Sequence, residues 1–144
     1  TDDAEVDGYK LMWFAVHTSN MTTSTSVVRL ELDGQQFEAV CSGDGPVDAA
    51  YKAINNIIGV PNRLMEFKIN AITAGIDAMA EVSVRVEGEG MDGKRILVNG
   101  HGADTDTLVA SARAYIAALN RLVGAREQAA QRVTPGVPEG VITP

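Results

Sequence analysis

The sequence predicts an α+β fold of two tandem βββα units related by a pseudo-twofold axis, with helices packed on antiparallel sheets, assembled as a dimer. Three observations predict it. Two helix-like segments each follow a Gly-x-Gly, Gly43-Asp44-Gly45 and Gly100-His101-Gly102, and these lie 57 residues apart. The same spacing lays Ser26-Val27 over Ser83-Val84, and Tyr9–Asn20 over Glu66–Asp77. Each helix-like segment carries one apolar stripe, which must cover a sheet face. Two such units still leave strand edges and apolar faces open, which predicts a second copy of the chain.

The elements follow in order. Tyr9–Thr18 is apolar on both faces and predicts a well-buried strand. Thr25–Asp33 alternates, with Val28, Leu30 and Leu32 on one face and Arg29, Glu31 and Asp33 on the other. Asp33-Gly34 is a hairpin signal, and Gln36–Cys41 returns as a third strand. Pro46 suits the first helical position, and Asp48 suits the first turn. Val47, Ala50, Tyr51, Ile54, Ile57 and Ile58 form the helix stripe, ended by Gly59 and Pro61. The second unit repeats the plan. Leu64–Thr73 and Met79–Glu87 are strands, Asp92-Gly93 is the turn, and Lys94–Asn99 returns. Asp104 or Thr105 caps a second helix with the stripe Leu108, Ala112, Tyr115, Ile116, Leu119 and Val123. Gly124 is its expected stop, with Ala125–Val133 as a possible extension.

Length and composition set limits. At 144 residues the chain fits one domain, and its 45% hydrophobic residues suffice for a core. The expected boundaries are an N-terminal extension (1–7), a domain over 8–124 divided into units 8–60 and 61–124, and a helix extension with a mobile Pro/Gly tail over 125–144. A formal charge of −7 argues against nucleic acid and anionic membranes as partners. Cys41 is the only cysteine, which excludes an internal disulfide and fits a reduced, cytoplasmic setting. The acidic, polar start does not have the pattern expected of a signal peptide.

Candidate chemistry is sparse. Gly43-Asp44-Gly45-Pro46 lets backbone approach a ligand at a helix start, where free N–H groups and the positive dipole end suit a carboxylate or phosphate. A tight turn that needs glycine explains the same spacing more simply. At the second helix start the acids Asp104 and Asp106 would repel an anion; they suit an ammonium group or a helix cap, and capping is the plainer reading. His17 and His101 have no nucleophile beside them in the sequence, and no metal site is expected. Cys41, Tyr51 and Tyr115 fall on apolar faces and read as core.

Three longer segments carry a resemblance. They are Gly43–Ile54 (GDGPVDAAYKAI), Ile72–Val82 (ITAGIDAMAEV) and Gly100–Tyr115 (GHGADTDTLVASARAY). In this order and spacing they closely resemble the C-terminal regulatory domain of 2-isopropylmalate synthase and its relative citramalate synthase, over about Asp7–Val123. The resemblance implies tandem βββα units, a homodimer and no cofactor in this domain. It implies binding of an end product between subunits, L-leucine in the first enzyme and L-isoleucine in the second, which lowers the activity of a separate catalytic barrel. The chain has no room for a barrel of about 250 residues, so no catalysis is expected of it alone. Carried over motif to motif, the effector contacts are Gly43, Asp44, Gly45, Val47 and Asp48 at the helix start, and Leu64, Phe67, Ala71 and Ala78 on the following strand. Spacings of 3 and 4 along that strand require a bend or irregularity if Leu64, Phe67 and Ala71 are to share a pocket. Thr107 departs from the family's usual Ile after Asp-Thr-Asp.

Overall fold

The computed structural model describes residues 8–20, 23–71 and 78–142. The elements run β1 (Lys10–His17), β2 (Ser24–Leu32), β3 (Gln35–Gly43), α1 (Pro46–Ile58), β4 (Arg63–Ala71), β5 (Ala80–Glu89), β6 (Arg95–Asp104) and α2 (Thr107–Ile142). The predicted βββα–βββα order is therefore observed. Each unit has its own antiparallel three-stranded sheet, ordered β1-β2-β3 and β4-β5-β6.

The central strands supply the core, because both of their edges are paired and one face is covered by a helix. Val28 and Leu30 of β2, and Val82, Val84 and Val86 of β5, are all buried. The alternation read for Thr25–Asp33 thus faces the way the sequence implies. The hairpin at Asp33-Gly34 has positive φ at both residues (52° and 82°), the geometry a two-residue turn needs. Gly59 caps α1 in the left-handed region (φ 73°), and its N–H donates to the Asn55 carbonyl at 2.8 Å.

Helix α1 lies on β2 and β3, α2 lies on β5 and β6, and the two helices pack against each other. Each helix also reaches the edge strand of the other unit. The Asn120 side chain of α2 accepts from Tyr9 N–H and donates to Tyr9 carbonyl, both at 2.9 Å. Tyr51 of α1 meets Phe67 of β4 edge to face, with centroids 6.2 Å apart. This exchange merges two small sheets into one core.

Four sequence expectations need correction. First, β1 is not a well-buried strand. It is an edge strand, and Met12 and Trp13 are about half exposed. Second, the repeat has no constant offset of 57. Lys10 pairs Glu31 as Arg63 pairs Glu87, and Val28 pairs Ala39 as Val84 pairs Gly100. The offset is thus 53 at the first strands, 56 at the central strands and 61 at the third strands. Loop lengths drift freely while the buried pairs keep their places; the second hairpin turns through Gly90–Lys94 where the first uses two residues.

Third, Gly100-His101-Gly102 is not a turn before a helix. It lies inside β6, which runs on to Asp104 instead of ending at Asn99. A Cβ on Gly100 would stand 2.2 Å from Ala114 carbonyl oxygen and 2.6 Å from Ala118 N. One on Gly102 would stand 2.3 Å from Ala110 carbonyl oxygen. These glycines let α2 settle on the strand, backbone against backbone. Fourth, α2 is capped by Asp106, not Asp104 or Thr105. Asp106 Oδ1 accepts from the N–H of Leu108 (2.8 Å) and Val109 (3.2 Å). The helix passes through Gly124 and continues to Ile142, since beyond that glycine Ala129 is again buried. No helix among the described residues is long and apolar enough to cross a membrane.

Candidate binding site at the start of the first helix

The third strand delivers the chain to α1 through Gly43-Asp44-Gly45, and the two glycines have different reasons to be there. Gly43 is buried. A Cβ on it would lie 2.5 Å from Asp48 Oδ2 and 2.6 Å from Ala49 N, so only glycine lets the first turn of α1 fold back over the strand end. Gly45 is the N-cap, with extended backbone (φ −158°) that any residue adopts, and nothing lies within 4 Å of the place its Cβ would occupy. Neither strain nor crowding requires glycine there. What glycine leaves is space, directly over a helix end that has no side-chain cap.

Asp48 is partly committed within this turn. Its Oδ2 accepts from Asp44 N–H (2.9 Å) and is 3.2 Å from Lys52 Nζ. The Asp44 N–H and then Lys52 hold its carboxyl below the usual carboxylate range, against an opposing effect of burial. The Asp44 carboxylate is exposed beside it. The turn is seated from below by Ser26, a fully buried hydroxyl on β2 that donates to Ala49 carbonyl oxygen at 2.6 Å.

The two helix starts are therefore not equivalent. In register, Asp104-Thr105-Asp106 takes the place of Gly43-Asp44-Gly45. There Asp106 caps the helix, and Asp104 Oδ2 accepts from Asp106 N–H at 2.9 Å. The protein's own carboxylates occupy the donors that stand uncapped at α1.

The irregularity required along β4 is present. The pairing with β5 shifts between Leu64 and Glu66, so Met65 is a bulge, and Leu64 pairs Val86 while Phe67 pairs Val84. Leu64 and Phe67 thereby share the face of buried Val84 and Val86 in spite of their spacing of 3. Met12 interrupts β1 in the same way. Phe67 is the β4 residue brought to α1, through its contact with Tyr51. Leu64 is 39% exposed on that face, further along the strand. Ala71 pairs Ala80 at the strand end, and Ala78 is exposed just before β5. Gly43, Asp44, Gly45, Val47 and Asp48 adjoin one another at the start of α1, and Phe67 reaches that helix one turn later, at Tyr51. Two surface depressions, one between Pro61, Arg63, Glu87 and Arg95 and the other between Gly8, Lys10, Glu31 and Gly34, lie elsewhere.

Sequence reasoning placed Tyr51 and Tyr115 in the core, and both are buried. It missed what they join. Their rings stack at 4.1 Å, 20° from parallel. Tyr51 OH donates to Ser111 carbonyl oxygen (3.3 Å), and Tyr115 OH donates to Asn62 Oδ1 (2.8 Å). Asn62 Nδ2 in turn donates to Asn55 Oδ1 and to Val60 carbonyl oxygen, both at 2.8 Å. Burial, then the neighbouring Tyr115, raises the Tyr51 phenol; burial pushes Tyr115 up to about 12 although Asn62 opposes it. Nothing in the local sequence of Asn62 marks it, since its partners lie in other elements. On the outer face of the second sheet, Ser83 Oγ and His101 Nδ1 are 3.0 Å apart, an exposed pair across strands that sequence proximity did not show.

The profile of the LeuA allosteric (dimerisation) domain matches residues 1–123. The chain belongs to this family. Among the relatives it matches, the 2-isopropylmalate synthase of Gloeothece citriformis is 51% identical over 106 residues, 74% of this chain and 19% of that protein. The 2-isopropylmalate synthase of Crocosphaera subtropica is 44% identical over 121 residues, 83% of this chain and 22% of that protein. That of Thermosynechococcus vestitus is 39% identical over 131 residues, 90% of this chain and 24% of that protein. The chain spans about a fifth of the length of these relatives. It corresponds to their allosteric and dimerisation part, a LeuA-type βββα tandem.

Proposed function

We propose that this chain is the regulatory part of a 2-isopropylmalate synthase, that it binds free L-leucine at the start of α1, and that it pairs with a second copy. Leucine held there lowers the activity of a catalytic barrel elsewhere in the parent enzyme, as feedback control of leucine biosynthesis. The observation that carries the reading is Gly45, a glycine that needs neither unusual φ nor close packing and that leaves open space over an uncapped helix end. An α-carboxylate fits that end, where a negative charge is favoured by about 0.3–1 kcal/mol at exposed sites and up to about 2 kcal/mol in partly buried ones. The exposed Asp44 carboxylate is suited to the α-ammonium group. Phe67, and Leu64 further along the same strand face, are suited to a branched aliphatic side chain, whose full burial is worth about 1.5–3 kcal/mol. Regulation then follows from differential affinity: leucine stabilises the arrangement it binds best and shifts the barrel toward the less active state.

The test is calorimetric titration of the full chain with L-leucine, L-isoleucine and L-alanine. Saturable binding of L-leucine, tighter than the other two, is the expected result. Preference for L-isoleucine would transfer the reading to a citramalate synthase. A well-folded dimer that binds none of the three would reduce the chain to a dimerisation module.

A further inference from the structure

The start of α1 and the apolar face of β4 belong to different βββα units, so something must fix their separation. Of the β4 residues in the proposed site, Phe67 is the one whose ring meets α1, at Tyr51. Tyr51 lies three residues after Asp48 and four after Val47, on the same side of the helix. It is 7% exposed and held from two further directions: its ring stacks on Tyr115 at 4.1 Å, and its hydroxyl reaches Ser111 carbonyl oxygen at 3.3 Å. Phe67, by contrast, is half-buried on an edge strand whose regular pairing is interrupted by the Met65 bulge. An edge strand beside a bulge has latitude to shift, and a stacked, buried ring has little.

From this geometry we infer that Tyr51 is the positioning residue of the proposed leucine site: its ring sets how far Phe67 stands from the α1 start, and so how deep the apolar end of the site is. The inference rests on the leucine reading. Tyr51 acts through Phe67 and need not touch the ligand. The ring edge does this work, and the hydroxyl serves only the bond to Ser111. Depth decides where a branch in the ligand side chain is tolerated, so Tyr51 governs the discrimination between L-leucine and L-isoleucine as well as the strength of binding.

The experiment is titration of the full chain and of Tyr51→Phe, Tyr51→Leu, Phe67→Leu and the double variant with L-leucine and L-isoleucine. Tyr51→Phe is expected to stay within about 2-fold of the parent. Tyr51→Leu and Phe67→Leu are each expected to weaken L-leucine binding about 10-fold, and the double variant no more than either alone. Tyr51→Leu is also expected to change the ratio of L-leucine to L-isoleucine affinity at least 3-fold, which a general loosening of the fold would leave unchanged. A double variant near 100-fold weaker, or an unchanged ratio, overturns the inference and leaves the leucine reading standing. A parent chain that binds neither amino acid overturns both. Should Tyr51→Leu not fold, the ring resonances of Tyr51 and Phe67 in the parent chain decide: they are expected to shift together as L-leucine is added, and a Tyr51 ring that does not respond overturns the inference.

Discussion

Replacing each glycine of Gly43-Asp44-Gly45 with alanine separates two causes that look alike in a sequence. At Gly43 the added Cβ meets Ala49 N at 2.6 Å and Ala49 Cα at 2.8 Å, where ordinary contact begins near 3.4 Å. The helix start must retreat by about 0.8 Å, and because the obstacles are backbone atoms no side-chain rotation relieves them. The Asp48 carboxylate, which would stand 2.5 Å from that Cβ, must also move and weaken its bond to Asp44 N–H. Overpacking of this kind costs about 1–3 kcal/mol. A midpoint loss of about 2 kcal/mol lowers the melting temperature by roughly 6 °C in a chain of this length. At Gly45 the Cβ enters empty space with φ already extended. Alanine is a poorer N-cap than glycine by a few tenths of a kcal/mol, but it also narrows the unfolded ensemble, so the net change stays within about 0.5 kcal/mol. Thermal unfolding followed by circular dichroism reads both. The same two variants, titrated with L-leucine, reverse in interest: Gly45→Ala folds normally yet places a methyl group over the helix end, and is expected to weaken binding at least 10-fold. Equal melting temperatures for the two variants would refute the packing argument. Undiminished leucine binding by Gly45→Ala would refute the assignment of that open space to the ligand.

Two further outcomes follow from the geometry of α2 and of the tyrosines. Gly100→Ala is expected to destabilise by about 3 kcal/mol, at the upper end for overpacking, because its Cβ would meet helix backbone at 2.2 Å; Gly124→Ala, with nothing within 4 Å, should stabilise by about 0.5–1 kcal/mol, and urea midpoints measure both. Tyr115 titrates near 12 in the folded chain against 10.0 for a free phenol, so its contribution to stability is whole below pH 10 and is lost as pH rises toward 12. Tyrosinate absorbance should therefore lag for Tyr115 and, further still, for Tyr51 until the chain unfolds, and Tyr115→Phe should flatten the alkaline loss of stability.

Much of this protein is legible in the chain itself. Alternation in Thr25–Asp33 and Met79–Glu87, the Asp33-Gly34 turn, and Pro46 with Gly59 around one apolar stripe are local signals with local causes: strand pleat, positive φ and helix termination. They set the order βββα–βββα without help from tertiary contacts. Tertiary structure alone decided which glycines turn the chain and which admit a helix. Gly43 and Gly100 each look like the first residue of a Gly-x-Gly, yet one ends a strand and the other lies inside one, because the second hairpin is longer and carries the pairing past Asn99. It also decided that β1, apolar as it is, lies at an edge, that Met65 slips the register so that Leu64 and Phe67 face one way, and that Asp106 fills the second helix start while the first stays uncapped. Each of these depends on which distant backbone approaches, and a distance between residues such as Tyr51, Phe67 and Ser111 is set by the packing of whole elements, which no window of neighbouring residues contains.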